Sequence, residues 1–271
     1  MIYSTNTKKK LSQLSKDTPQ LIVFVGKPGS GKLQIMKDLS SSITSPANIT
    51  VIEPLDGKKT IGIEQIRDIK KISFLTKKEP QVIMVPNAEK ITNEAQNSML
   101  KLLEDTPANL HIFLGTTSLG KLLITIRSRA YLWRVMNPTI EEVINEYKNL
   151  DINKIEQAVK LTSQRSRYLE EYLVEGKTPL NIDTAKEILS EDKFERLQRV
   201  NGLSKDLQQS VDTIESILLI SKAAAEIAAK NNDLQKMRPW KNRLALCLES
   251  LDLLDKSVQP KLVLTRLFMV L

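Results

Sequence analysis

The sequence is short of several things, and each shortage removes a class of function. It has a single cysteine, Cys247, and a single histidine, His111. A disulfide framework and a cysteine-based zinc module are therefore excluded. One histidine cannot build a metal hydrolase site or a Ser-His-Asp triad. Cys247 lies in Leu244-Ala-Leu-Cys-Leu-Glu249, an apolar helical pattern that predicts a buried, inert thiol. Aromatic residues make up only 4%, too few for base-stacking platforms; contact with a nucleic acid, if made, would fall on the backbone. No apolar run is long enough to span a bilayer. The stretch from Met1 to Lys10 is polar and basic with no apolar segment behind it, so no secretory signal is expected and a cytoplasmic location follows.

What is present is a chain of 271 residues, 41% hydrophobic and 27% charged. That is enough for more than one folded domain. The net charge of +8 points to a polyanionic partner such as nucleic acid, although many lysine-rich cytoplasmic proteins are basic without touching DNA.

Short apolar runs at Leu21–Val25, Thr50–Glu53, Val82–Val85, Leu110–Thr116 and Tyr131–Val135 read as strands. Helical patterns lie between them at Lys32–Ile43, Ile63–Leu75 and Asn93–Glu104, with a short one at Leu119–Ile126. Continuous apolar strands alternating with helices predict an α/β fold, a parallel five-stranded sheet covered on both faces. After Asn137-Pro138-Thr139 only helices are expected, at Thr139–Tyr147, Asp151–Leu161, Arg165–Val174, Asp183–Val200, Ser204–Lys230, Arg238–Lys256 and Lys261–Leu271. A break at 175–179 suggests three domains: a nucleotide-binding type domain at 1–136, a small helical lid domain at 137–178 and an α-helical C-terminal collar domain at 179–271.

Leu21–Val25 runs directly into Gly26-Lys27-Pro28-Gly29-Ser30-Gly31-Lys32 and then a helix. This strand–GxxxxGK–helix order is a P-loop: glycines turn backbone N–H groups onto phosphate oxygens, and Lys32 reaches the terminal phosphates. The next position calls for a Ser or Thr hydroxyl to hold magnesium, and here it is Leu33. The acidic pair at the end of another core strand, one carboxylate on the metal and one polarising water, is replaced by Pro86 and Asn87. Glu89 comes two residues later and is expected to point elsewhere. With both metal ligands and the base missing, no intrinsic hydrolysis and no metal site are expected. The intact glycines and Lys32 leave room for residual ATP or ADP binding.

Thr60-Ile-Gly-Ile-Glu-Gln-Ile-Arg-Asp-Ile-Lys70, Val82–Lys90, Asn93–Asn109, Phe113–Ser118 and Lys121–Arg129 follow one another in an order and spacing that resembles the clamp-loader branch of the AAA+ superfamily. The likeness is specific over about residues 10–135 and weaker in the helical half, where Gln259–Leu264 is similar to the family's C-terminal helix. It implies an AAA+ P-loop domain and a place in a hetero-pentamer with gamma/tau and delta subunits. That assembly would load a sliding clamp onto primer-template DNA for bacterial DNA polymerase III. Ser128-Arg129 resembles the family's Ser-Arg-Cys motif, with Ala130 for the cysteine, which implies that Arg129 is an arginine finger reaching a neighbour's ATP. Arg127 is its rival. Ser118 stands where the family has its first sensor, and Arg167 aligns loosely with the second. Many relatives carry a four-cysteine zinc module before the second strand; Ser40–Ile49 is too short and has no cysteine, so zinc is not expected. Two other readings stay open: a stand-alone AAA+-like adaptor binding protein or nucleic acid, and an active gamma-type ATPase.

Overall fold

The structure, a computed structural model, describes residues 1–73, 79–176, 182–256 and 258–271. By its internal contacts the chain divides into two compact units, 1–149 with 164–167, and 150–163 with 168–271. This division keeps the first helix after Pro138 with the sheet and assigns the next two largely to the second unit.

Five parallel strands form one sheet in the order β2-β3-β4-β1-β5: β1 (Leu21–Val25), β2 (Ile49–Val51), β3 (Gln81–Val85), β4 (Leu110–Thr116) and β5 (Tyr131–Arg134). Successive side chains on a strand face opposite ways, and the burial follows that alternation. Leu21 and Val23 of β1 join Ile83, Val85, Ile112 and Leu114 in a core capped by Ile66, Met99, Leu102 and Ile126. These four come from α3 (Ile63–Ser73), α4 (Asn93–Glu104) and α5 (Ile124–Arg127). Ile22 and Phe24 face the other way, into a core of Val82, Met84, Phe113 and Trp133 beneath Leu14, Ile35, Met36 and Leu39. That face is covered by α1 (Thr5–Leu14) and α2 (Lys32–Ile43). Phe24 meets Phe113 edge-on, with ring centres 5.5 Å apart, and Trp133 at 5.2 Å. The α/β class and the parallel five-stranded sheet are those expected.

Gly115 shows how tightly β3 and β4 close at their ends. A β-carbon there would stand 2.4 Å from the Pro86 carbonyl oxygen, so only glycine lets the strands approach.

The remaining helix of the first unit is α6 (Ile140–Glu146), held by a capping box between Thr139 and Glu142. In the second unit α7 (Ile152–Thr162), α8 (Ser166–Leu173), α9 (Ile182–Ser190), α10 (Lys193–Leu203), α11 (Leu207–Lys230), α12 (Leu234–Asp255) and α13 (Pro260–Val270) follow; the first residues of α8 count with the first unit. Ala185, Ile188, Ile214, Ile217, Cys247, Leu264 and Phe268 make the core of this unit.

Three expectations are corrected. Residues 5–14 form a helix capped by Ser4, whose hydroxyl accepts from the Thr7 N–H, although this stretch shows only a polar, basic pattern. The helix expected at Asp183–Val200 is two helices, because Asp192 and Glu195 make a second capping box and restart the chain. The helix expected from Arg238 begins at Leu234, capped by Asp233, and carries Pro239 inside it. Pro239 is exposed, so the carbonyl it leaves without a donor can turn to water. The end of the helix expected at 63–75 and most of the break at 175–179 lie outside the described residues. Among the described residues no helix is long and apolar enough to cross a membrane.

Candidate functional site

The crevice at the carboxyl ends of β1, β3 and β4 is where the sheet order reverses, the usual place for a ligand in an open α/β sheet. Residues 26–32 lie there. The Gly26 N–H donates to the Thr116 carbonyl at 3.1 Å, extending the β1–β4 pairing by one residue into the loop. Ser30 closes a turn by donating its N–H to the Lys27 carbonyl at 3.1 Å. Gly29 (φ 75°) and Gly31 (φ 86°) occupy the left-handed region, which directs the chain into α2 with no side-chain cap on its first amides. Ser30 is 2% exposed, and its hydroxyl has no hydrogen-bond partner among the described residues.

Lys32, the first residue of α2, is half-buried. Burial holds its pKa below the ordinary lysine value, and attraction to Glu89 partly offsets this. Glu89 sits in a short 3-10 turn, Ala88–Lys90, directly after β3. Thr117, just past β4, donates its hydroxyl to Glu89 Oε1 at 3.1 Å, while Glu89 Oε2 is buried without a hydrogen-bond partner among the described residues. The expectation that Glu89 points elsewhere is therefore wrong. The turn is a single one and carries the carboxylate back to the strand ends, close enough for Lys32 to feel it. Neither Glu89 nor Thr117 was singled out as a partner of the loop; sequence spacing cannot show that the ends of β3 and β4 lie side by side.

Leu33 turns its side chain to the core beside α2, and Pro86 is buried with its carbonyl against Gly115. Asn87 opens the 3-10 turn and accepts the Lys90 N–H at 2.9 Å. The Ser118 N–H donates to the Thr116 hydroxyl at 3.2 Å, a local turn that leaves Thr117 as the residue facing Glu89. The segment 164–167 lies against the glycine loop. The Arg167 N–H donates to the Gly29 carbonyl at 3.0 Å, and the buried Arg165 donates from Nη1 to the Pro28 carbonyl at 3.3 Å. Of the two arginines it is Arg165, not the exposed Arg167, whose guanidinium touches the loop. As a fit for a nucleotide, the backbone cradle and Lys32 are suitable for phosphate. The donors for a bridging magnesium are lacking, and no cluster of metal-ligating side chains occurs among the described residues.

Arg129 is nowhere near this crevice. Ile22 of β1 pairs with Tyr131 of β5, so Ser128 and Arg129 precede the amino end of the sheet while the glycine loop follows its carboxyl end. With β1 five residues long, the separation is on the order of 15 Å. Arg129 lines a cleft of about 410 Å³ with Pro19, Gln20, Leu103, Thr106 and Tyr131. Its guanidinium donates to the Thr125 carbonyl at 3.1 Å and lies 3.5 Å from Glu104, with 44% of the side chain exposed. Arg127 is half-buried, and its Nε is enclosed without a partner among the described residues.

The fold and the glycine loop together define a P-loop α/β protein of the AAA+ type followed by a helical part. The particular likeness is to the delta-prime subunit of bacterial DNA polymerase III, as the motifs imply. Residues 44–139 match the family described as "DNA polymerase III, delta subunit". The delta-prime subunit of Buchnera aphidicola subsp. Baizongia pistaciae is 32% identical over 100 residues, 36% of this chain and 30% of that protein. That of Haemophilus influenzae is 35% identical over 98 residues, 35% of this chain and 29% of its own length. The aligned stretch thus spans under a third of these relatives. Over almost the whole length, 97% of both chains, the structure superposes on a DNA polymerase III gamma subunit-related protein of Thermotoga maritima with a TM-score of 0.50 and 18% identity, a likeness of fold.

Proposed function

We propose that this chain is a non-hydrolysing clamp-loader subunit of the delta-prime kind, helping to load a sliding clamp onto primed DNA in the cytoplasm. In this reading residues 1–136, 137–178 and 179–271 are its AAA+, lid and collar domains, and its partners are gamma/tau and delta subunits, the clamp and, through the complex, primer-template DNA. No cofactor is required and no zinc is held. Gly26 to Lys32 keep a residual capacity for ATP or ADP.

The observation that carries the reading is the separation of Arg129 from the chain's own glycine loop by the length of the sheet. An exposed arginine at that end cannot serve this chain's phosphates and is available to a neighbour's. A guanidinium there stabilises charge developing on the transferred phosphoryl group. Leu33, Pro86 and Asn87 support the other half of the reading, since none can hold magnesium or polarise water.

The test mixes the purified chain with gamma and delta subunits, clamp and primed DNA, and compares wild type with Arg129→Ala. The isolated chain should show no turnover, and the variant should assemble normally. Turnover at the site beside Arg129 should fall by roughly 10³–10⁵. Turnover by the isolated chain would favour a gamma-type ATPase, and failure to co-assemble would favour a stand-alone adaptor. An assembled complex indifferent to the substitution would overturn the role of Arg129.

A further inference from the structure

Glu89 has no place in the proposed role, yet it is the most unusual side chain in the crevice. One of its oxygens is held by Thr117 at 3.1 Å and the other is enclosed with no donor. A buried carboxylate oxygen without a hydrogen bond is costly and persists only where a positive charge offsets it. Lys32, half-buried at the start of α2, is the cation that feels it. The tether is well fixed: Thr116, the neighbour of Thr117, accepts the Gly26 N–H, so one strand end holds both the glycine loop and the carboxylate. Inside the loop the Ser30 hydroxyl is enclosed without a partner, a donor directed to no group of the described chain. The loop therefore retains phosphate-binding groups, while a carboxylate supplies the counter-charge that a phosphate would supply.

We propose that Glu89 is a built-in competitor of phosphate for Lys32, and that it sets the P-loop's low affinity for metal-free polyphosphates. The argument turns on magnesium. In a metal-binding P-loop the ion lies between phosphate oxygens and nearby carboxylates and removes their repulsion. Here Leu33, Pro86 and Asn87 provide no ligands for it. A polyphosphate entering the loop meets Glu89 unshielded and must also displace it from Lys32. Two like charges a few ångströms apart near a protein surface repel by several kcal/mol. This inference rests on the reading that the loop has lost its metal chemistry but kept its phosphate cradle.

The experiment is calorimetric titration of inorganic pyrophosphate, and separately of ADP, into the full chain without magnesium. Wild type is compared with Glu89→Gln, Thr117→Val and Glu89→Gln/Lys32→Ala, with circular dichroism to check folding. Glu89→Gln should bind both ligands roughly tenfold or more tightly than wild type. Thr117→Val, which only loosens the tether, should give a smaller gain, and the double variant should lose the gain. Equal or weaker binding by Glu89→Gln, a gain that survives loss of Lys32, or no binding in any variant overturns the proposal. ATP turnover of the isolated chain, measured on the same samples, separates the two ideas. Turnover in wild type that disappears in Glu89→Gln would make Glu89 a base and overturn the non-hydrolysing reading itself. Silence in both, with no gain in affinity, overturns only the competitor role.

Discussion

Leu33 stands where a magnesium-binding loop has a hydroxyl, and its side chain packs beside Phe24, Ile35 and Met36. The lost ligand has become part of the hydrophobic core, which couples the absence of metal chemistry to the stability of the sheet. Cys247 gives the same lesson in the helical unit. Its side chain is fully enclosed, and burial pushes its pKa up to about 12, with Arg243 opposing the shift. Thiolate is the reactive form. At pH 8 an aromatic disulfide reagent should therefore label the native protein orders of magnitude more slowly than the guanidinium-unfolded chain, which should release one equivalent. Equal rates would mean that the helices around Cys247 do not pack as described. The inert thiol was legible because apolar residues flank it at helical spacing. Glu89 was not legible, because its partner Thr117 is brought to it only by β3 and β4 lying side by side.

Elements with a strong, unmixed signal were readable to within a residue or two. β1 and β4 are continuous apolar runs buried on both faces, and α2 and α4 have clear starts, at the glycine loop and at the Thr92 cap. What escaped was decided by capping. α1 has only Leu11 and Leu14 as apolar anchors beside its lysines, so its period is faint, and Ser4 fixes its beginning. Asp192 divides α9 from α10, and Asp233 starts α12 ahead of a proline that would ordinarily mark a first turn. The Asp233 cap can be tested by pH. Its carboxylate accepts the Lys236 N–H at 3.0 Å, and that bond, with the nearby Lys236 ammonium, holds its pKa below the ordinary 3.8. A depressed carboxylate pKa contributes stability above the unfolded value, lost as pH falls through the folded one. Wild type should thus melt above Asp233→Asn at pH 7, and the difference should shrink below pH 3.8 and vanish once both states are protonated. A difference independent of pH would show that the charge at this cap contributes nothing.

The molecule as a whole places two phosphate-directed features at opposite ends of one sheet, and the parallel register β1–β5 makes that arrangement unavoidable. A glycine loop must follow the carboxyl end of its strand, and residues just before β5 must sit at the amino end. No rotamer of Arg129 can bridge a distance on the order of 15 Å along the strands. Restoring metal ligands should therefore recover one function without the other. Leu33→Thr with Pro86→Asp and Asn87→Glu returns a hydroxyl and two carboxylates to the positions that hold magnesium in a working P-loop. Exchanging the packed Leu33 for threonine should cost on the order of 1–3 kcal/mol of stability. The wild-type chain should bind ADP equally with and without magnesium, whereas the triple variant should bind more tightly when the ion is present. That variant should still turn over slowly in isolation, since its own Arg129 cannot reach the phosphates, and accelerate only beside a neighbour that presents an arginine. If the triple variant's affinity ignores magnesium, the loss of metal chemistry does not reside in these three positions. Fast turnover by a strictly monomeric variant would show that the separation along the sheet is no barrier.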